Sequence, residues 1–373
     1  MGNKLISLLN TTGFVHLTPG MIVMWIIGLV LIYLAIKKQY EPLLLLPIGF
    51  GILLVNLPLS GLMDENVGLL WKFYHYGIHW EIIPPLIFLG IGAFTDFGPL
   101  MANPRLIFLG AGAQAGVYIT FFVSHAMGYD IMEAATIGMI GGADGPTTIF
   151  IASKLAPQLM GACAVAAYSY MAMVPIIQPP IMRLLTTKAE RAMHMAKPRP
   201  VSKREKLLFP IISTFVIILL IPASAPLISM LMLGNLFRES GVVERLKGAA
   251  QNELMNIVTI FLGLPIGATM HADIFLQPKV LFIFILGLIA FILSTATGIL
   301  LAKLMNLVSK EKINPLLGAA GVSAVPMAAR VVHKVGTEAD KKNYLLMYAM
   351  GPNVAGVIGT VIAAGMFITL LGG

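Results

Sequence analysis

The chain has 373 residues, 58% of them hydrophobic and only 11% charged, with a formal net charge of +8. Soluble domains carry about 25% charged residues, so this composition excludes an ordinary soluble protein. Nor does the charge mark a nucleic-acid-binding surface. Much of it sits in a single connector between apolar runs, which holds Arg183, Lys188, Arg191, Lys197, Arg199, Lys203, Arg204 and Lys206.

In chain order, the apolar runs have the length, about twenty residues, that crosses a bilayer core. Residues 1–14 are short and mixed, with no cleavable-signal pattern, and the first run covers 21–36. Runs near 41–61, 82–101, 105–124, 134–155 and 160–182 follow. After the basic connector, which reads as a cytoplasmic loop or as a docking surface for an acidic partner domain, come 207–235, 254–275, 279–306, 314–332 and 343–371. The expected fold is all-α and polytopic, with about eleven membrane segments embedded in a lipid bilayer. Its divisions are an N-terminal segment (1–40), a first repeat (41–185), the connector (186–206) and a second repeat (207–373).

The two sets of five runs echo each other in order. Leu45-Leu46-Pro47-Ile48 is answered by Leu208-Phe209-Pro210-Ile211, and Ile87-Phe88-Leu89-Gly90 by Ile260-Phe261-Leu262-Gly263. Gly138, Gly141 and Pro146 return with identical spacing as Gly318, Gly321 and Pro326. A duplicated unit with an odd number of crossings must lie inverted, as in many ion-coupled transporters. If every run crosses, however, a cytoplasmic connector leaves Lys37, Lys38, Lys310 and Lys312 on the wrong side. Either the charge rule is overridden there or some runs are re-entrant.

The first break is Gly138-Met139-Ile140-Gly141-Gly142-Ala143-Asp144-Gly145-Pro146-Thr147-Thr148. Glycines tolerate unwound backbone and Pro146 interrupts a helix, which frees carbonyl oxygens inside the membrane. With the Asp144 carboxylate and the hydroxyls of Thr147 and Thr148, this is an all-oxygen set suited to a hard cation such as Na⁺. Its mate runs from Asn314 to Pro326, with Ala324 in the place of Asp144 and neutral oxygens from Asn314 and Ser323. Arg330, one turn on, has three readings: it binds a carboxylate-bearing substrate, neutralises Asp144 or reaches for the interface. In the last span of each half, Tyr170 offers a phenol for ion ligation or proton transfer, and Asn353 an amide oxygen. Asp96 and Asp273 are matched by the repeat and read equally as groups lining the ion route or as solvated or capping residues at run ends. The lone Cys163, in an apolar run, reads as a small core residue.

These motifs resemble the β subunits of the Na⁺-transporting biotin-dependent decarboxylases, which act on oxaloacetate, methylmalonyl-CoA or glutaconyl-CoA. The resemblance rests on residues 92–100 (GAFTDFGPL), 141–147 (GGADGPT), 178–182 (QPPIM), 314–326 (NPLLGAAGVSAVP) and 351–359 (GPNVAGVIG). It implies that the chain decarboxylates carboxybiotin supplied by a biotin-carrier subunit and exports Na⁺. It further implies carboxyltransferase and small membrane subunits as partners, and a multi-pass location in the inner (cytoplasmic) membrane. The family's functional positions fall on Asp144, Tyr170, Asn314, Gly318, Ser323, Arg330 and Asn353. Asp144, Tyr170 and Arg330 are then the expected catalytic residues, with Arg330 toward carboxybiotin. Asp144, Thr147, Tyr170, Asn314, Gly318, Ser323 and Asn353 are the expected Na⁺ ligands. A homo-oligomer is compatible with the sequence. Without the resemblance, the same breaks describe a stand-alone Na⁺-coupled secondary transporter or Na⁺/H⁺ antiporter.

Overall fold

The computed structural model describes residues 11–372, so the first ten residues of the N-terminal segment lie outside the description. Among the described residues every regular element is helical. Helix α1 (Pro19–Lys38) shows how the sequence sets its ends: Thr18 accepts a hydrogen bond from the Met21 amide, and Pro19 opens the first turn, where no N–H is needed. The chain leaves α1 through Gln39, at a φ of 55°.

The first half continues with α2 (Pro42–Val55), α3 (Ile83–Phe94), α4 (Ile107–Ala126), α5 (Ile131–Met139), α6 (Gly145–Leu155), α7 (Met160–Ala172) and α8 (Val174–Leu185). The second holds α9 (Lys203–Leu220), α10 (Ala225–Ser240), α11 (Met255–Ala268), α12 (Pro278–Val308), α13 (Met327–Ala339) and α14 (Leu346–Leu371). Four helical stretches are long and apolar enough to cross a membrane alone: α1, residues 104–126, α12 and α14. Two bent pairs qualify when each is joined, 69–79 with α3 at 62° and 157–172 with α8 at 65°.

Side-chain contacts sort the chain between two ends of one bundle. At the end that carries the basic connector, Arg183 pairs with Glu338, His194 with Asp340, Lys303 with Glu190 and Arg105 with Glu311. At the far end, Asn56 bonds Met270 and Ala272, Tyr129 donates to the Lys279 carbonyl, and Lys279 pairs with Glu133 at 2.6 Å.

On this frame two of the apolar runs turn back instead of crossing. Glu133, at the start of α5, accepts from Gln158, just beyond α6, so both limbs of the first hairpin meet the far end. Asn314 and Asn343, on either side of the second break, both donate to the carbonyls of Arg191 and Met193 at the connector end. The hairpins therefore enter from opposite ends. Run 207–235 is two helices, α9 and α10, joined by a turn at 222–224. This resolves the charge conflict: Lys38 and the 310–312 loop lie at the connector end with the basic cluster, and the far-end Lys154 and Lys279 are both paired with glutamates.

Packing is reciprocal between the halves. Helix α2 lies along α11, α3 lies along α10, and α4 crosses α12 at the centre. Helix α1 packs on α2 as α9 packs on α10. The Leu45–Ile48 and Leu208–Ile211 echo falls on helices that both start at the connector end, so it is not part of an inverted relation. By direction, α2 is matched by α10.

Candidate functional site

The hairpin tips meet in the middle of the bundle, and the sequence explains each tip. After α5, residues 140–142 tighten into a 3₁₀ turn and Ala143 adopts a φ of 52°, a left-handed conformation that swings the chain out of helix. Asp144 then caps α6: its Oδ1 accepts from the Thr147 amide at 3.0 Å, and Thr148 Oγ1 donates to its carbonyl at 2.7 Å. Gly145 sits so close to the Tyr168 ring that any side chain there would collide with it. In the second hairpin, Pro315–Gly321 forms a short 3₁₀ segment and residues 322–325 run without regular structure. There the Ser323 amide donates to the Gly142 carbonyl at 2.8 Å, stitching tip to tip.

The Asp144 carboxylate joins three elements. Its Oδ2 accepts from Ser323 Oγ at 2.9 Å and from Thr360 Oγ1 of α14 at 3.0 Å. Asp144 is 4% exposed and forms no ion pair among the described residues. The neutralising role read for Arg330 is therefore not what the fold uses: Arg330 is exposed on α13, and its side chain has no hydrogen bond or ion pair among the described residues. A carboxylate has about four acceptor positions. The Thr147 amide, Ser323 and Thr360 fill three here, and the buried Thr147 hydroxyl adjoins the same carboxylate. An electron-rich, all-oxygen pocket with an acceptor position open fits a hard monovalent cation. Among the described residues there is no His/Cys/Asp/Glu cluster of the kind that holds a transition metal.

A second set of oxygens lies along the other hairpin. Asn353 Nδ2 donates to the carbonyls of Ala320 and Val322 at 3.1 and 2.7 Å, leaving its buried Oδ1 unpartnered. Gln178 of α8 does the same from the opposite side. It donates to Ala319 and Thr295 and leaves Oε1 unpartnered. Gly318 makes this packing possible, because it meets Gly298 of α12 with no room for a methyl group on either.

The expected site residues are thus placed unequally. Asp144, Thr147 and Ser323 come together, with Asn353 and Gly318 on the hairpin beside them. Asn314 stands apart at the hairpin base: its oxygen caps Leu316 at 3.0 Å and its amide holds the connector. The Tyr170 hydroxyl is committed to the Phe284 carbonyl of α12, and it is Tyr168 whose ring lies at the break, its hydroxyl buried and unpartnered. Thr360, Gln178 and Tyr168 were not singled out as site residues from sequence. Gln178 adjoins a visible Pro-Pro break, but Thr360 and Tyr168 sit inside regular helix and carry no local mark.

The chain matches the family described as the Na⁺-transporting oxaloacetate decarboxylase beta subunit over residues 20–371. It is similar to the methylmalonyl-CoA decarboxylase subunit beta of Propionigenium modestum, 55% identical with all of both chains covered. It is also similar to the glutaconyl-CoA decarboxylase subunit beta of Acidaminococcus fermentans, 54% identical over 99% of this chain and 98% of that one. The oxaloacetate decarboxylase beta chain of Klebsiella pneumoniae is 50% identical over 97% and 98% of the two chains.

Proposed function

The chain belongs to the β subunits of the Na⁺-transporting decarboxylases, membrane subunits of sodium pumps, and from that premise we propose that Na⁺ binds at Asp144, where the two hairpins meet. The relatives do not favour a stand-alone carrier. What supports the ion site is one arrangement: a buried, unpaired carboxylate shared between two hairpins that enter from opposite ends. Each hydroxyl on it has a single proton to give. Thr360 has alternative acceptors in the carbonyls of Gly356 and Val357, at 3.2 and 2.9 Å. A cation at Asp144 frees Thr360 to turn to its own helix and offer a lone pair. Ion arrival and loss would therefore remake the bonds that tie the hairpins together, a physical basis for switching access between the two ends.

The same reading makes carboxybiotin on a partner biotin-carrier subunit the carboxyl donor. Its loss of CO₂ leaves a ureido nitrogen that takes a proton. Arg330, exposed and unpaired on the hairpin that returns to the connector end, would hold the carboxylate. The proton donor would be Tyr170 or, nearer to Asp144, Tyr168. Which acid or acyl-CoA is decarboxylated would be chosen by a separate carboxyltransferase subunit, consistent with comparable similarity to relatives named for three substrates. A small membrane subunit would complete the assembly. The basic connector end would face the cytoplasm of the inner membrane. The reciprocal packing supports two inverted units, each of five crossings and one re-entrant hairpin: α1, α2, α3, α4 and α7–α8 around α5–α6, and α9, α10, α11, α12 and α14 around 315–339.

The test is CO₂ release and ²²Na⁺ uptake by the purified pump assembly in liposomes. Asp144→Asn should abolish Na⁺-dependent turnover while leaving the assembly intact on gel filtration. Unchanged Na⁺ dependence would remove Asp144 from the mechanism.

A further inference from the structure

A cavity of about 300 Å³ leads from the connector end of the bundle to the Asp144 break. It lies between α2, α3, α11 and the turn at 250–254. Most of its wall is apolar, but Glu41 and Gln251 stand toward the connector end, Thr259 lies in between, and Tyr168, Ser323 and Asp144 stand at the inner end. Among the described residues no lysine, arginine or histidine lines it. The neighbouring cavity at the same end, about 500 Å³, is lined instead by Arg105, Lys197, Arg199, Lys206 and Lys312, with Asp96 and Glu311. Among the described residues, one end of the molecule thus offers a route whose charges are carboxylates and another dominated by cations.

The rest of the fold gives the Glu41 side chain no task. It occupies the N-cap position of α2, yet its side chain caps nothing. It is half-buried, and while its carbonyl accepts from the Leu44 and Leu45 amides, its carboxylate forms no hydrogen bond or ion pair among the described residues, although Lys37 and Lys38 lie just before it. Its φ of 36° is in the left-handed region, which is costly for a residue with a side chain and places the carboxylate at the cavity rather than along the helix start. A second, separate feature marks the inner end. The Tyr168 hydroxyl lines the cavity, belongs to a residue only 1% exposed, and has no partner among the described residues. An unpaired carboxylate toward one end, neutral oxygens along the wall, and an unpartnered hydroxyl beside a second carboxylate form a graded path for a cation. Its charge repels anions, including any carboxylated substrate.

We propose that Glu41 is an outer cation-binding residue and that this cavity is the route by which Na⁺ reaches Asp144 from the connector end. The proposal rests on the Asp144 reading and adds the direction of entry and a second ion-contacting group. A carboxylate toward the entrance raises the local cation concentration, and focusing of this kind changes association by roughly 10-fold or more at low salt. Its removal acts on capture of the ion more than on the chemistry that follows.

The experiment measures CO₂ release against Na⁺ concentration for the reconstituted assembly at low ionic strength. Glu41→Gln should raise the apparent KM for Na⁺ by about 5-fold or more, a larger effect than on turnover at saturating Na⁺. Glu41→Asp should restore most of it, and choline chloride should shrink the difference by screening. An unchanged KM overturns the proposal. If Asp144→Asn abolishes Na⁺ dependence while Glu41→Gln leaves KM alone, the route falls and the ion site stands; if neither has an effect, the ion-site reading falls with it. A labelling measurement covers the case in which Glu41→Gln does not assemble. With Cys163→Ser as background, a cysteine at Gln251 should react faster with a cationic than an anionic methanethiosulfonate added from the connector side, and Na⁺ should slow it. Equal rates for the two reagents would also overturn the proposal.

Discussion

Asp144 is affordable in the middle of an apolar bundle because of what touches it. An aspartate at the centre of a membrane helix costs about 2.5–3.5 kcal/mol. Hydrogen bonds to a charged group contribute about 1.5–3 kcal/mol each, and Asp144 receives three. These bonds offset that cost without a lysine or arginine, and in the proposed reading the remaining acceptor position takes a cation. Thr360→Val removes one of these donors and should raise the KM for Na⁺ about 10-fold, the equivalent of 1.4 kcal/mol. Thr360→Ser, which keeps the hydroxyl, should stay near wild type, and identical behaviour of the two would take Thr360 out of the site. The tyrosines separate in the same assay. Tyr168→Phe should slow CO₂ release more than Tyr170→Phe if the proton comes from beside Asp144; the reverse order returns that role to Tyr170. Thr147, Ser323 and Asn353 were visible beforehand because Gly and Pro mark the segments around them. Thr360 was not, because a threonine in the run Val357-Ile358-Gly359-Thr360-Val361 looks like any small helix residue.

At the scale of elements, the two breaks were legible and their direction was not. Glycine, proline and a buried aspartate predict where a helix stops. Whether the chain then continues or returns depends on which end of the bundle receives it. The Arg191 and Met193 carbonyls decide this for the second hairpin by collecting both Asn314 and Asn343. Asn343→Ala would release one limb, and amide exchange across residues 340–346 should quicken relative to the far-end loop at 127–130. Equal exchange would show that Asn314 alone holds the base. The tip is held by fit. Gly318 and Gly298 leave no space for a methyl group, and overpacking of this kind costs about 1–3 kcal/mol. Gly318→Ala should lower the melting temperature of the detergent-solubilised chain and weaken Na⁺ binding together. A lowered melting temperature with normal Na⁺ affinity would make Gly318 purely a packing residue.

For the whole molecule, the inverted arrangement proposed above predicts sidedness. With Cys163 replaced, single cysteines at Lys38, Lys197 and Lys312 should label with an impermeant maleimide from one side of the membrane, and cysteines at Asp130 and Lys279 from the other. Labelling of Lys312 together with Lys279 would contradict the return of the second hairpin to the connector end. Crossing by every apolar run would put the lysines of the connector and of the 310–312 loop on opposite sides, and of the two alternatives the sequence leaves open, re-entrant runs are the one that brings them together.

The sequence by itself determined the solvent, the helical class and the two places where helices must break, because these follow from local chemistry: apolar length, glycine, proline and one carboxylate too costly to be idle. It also carried motifs specific enough to identify the family. Only the tertiary structure decided which oxygens meet. Ser323 and Thr360 lie 179 and 216 residues from Asp144 along the chain. They reach one carboxylate because hairpins from opposite ends and a crossing helix converge on it, and that convergence is a property of packing that no local pattern encodes.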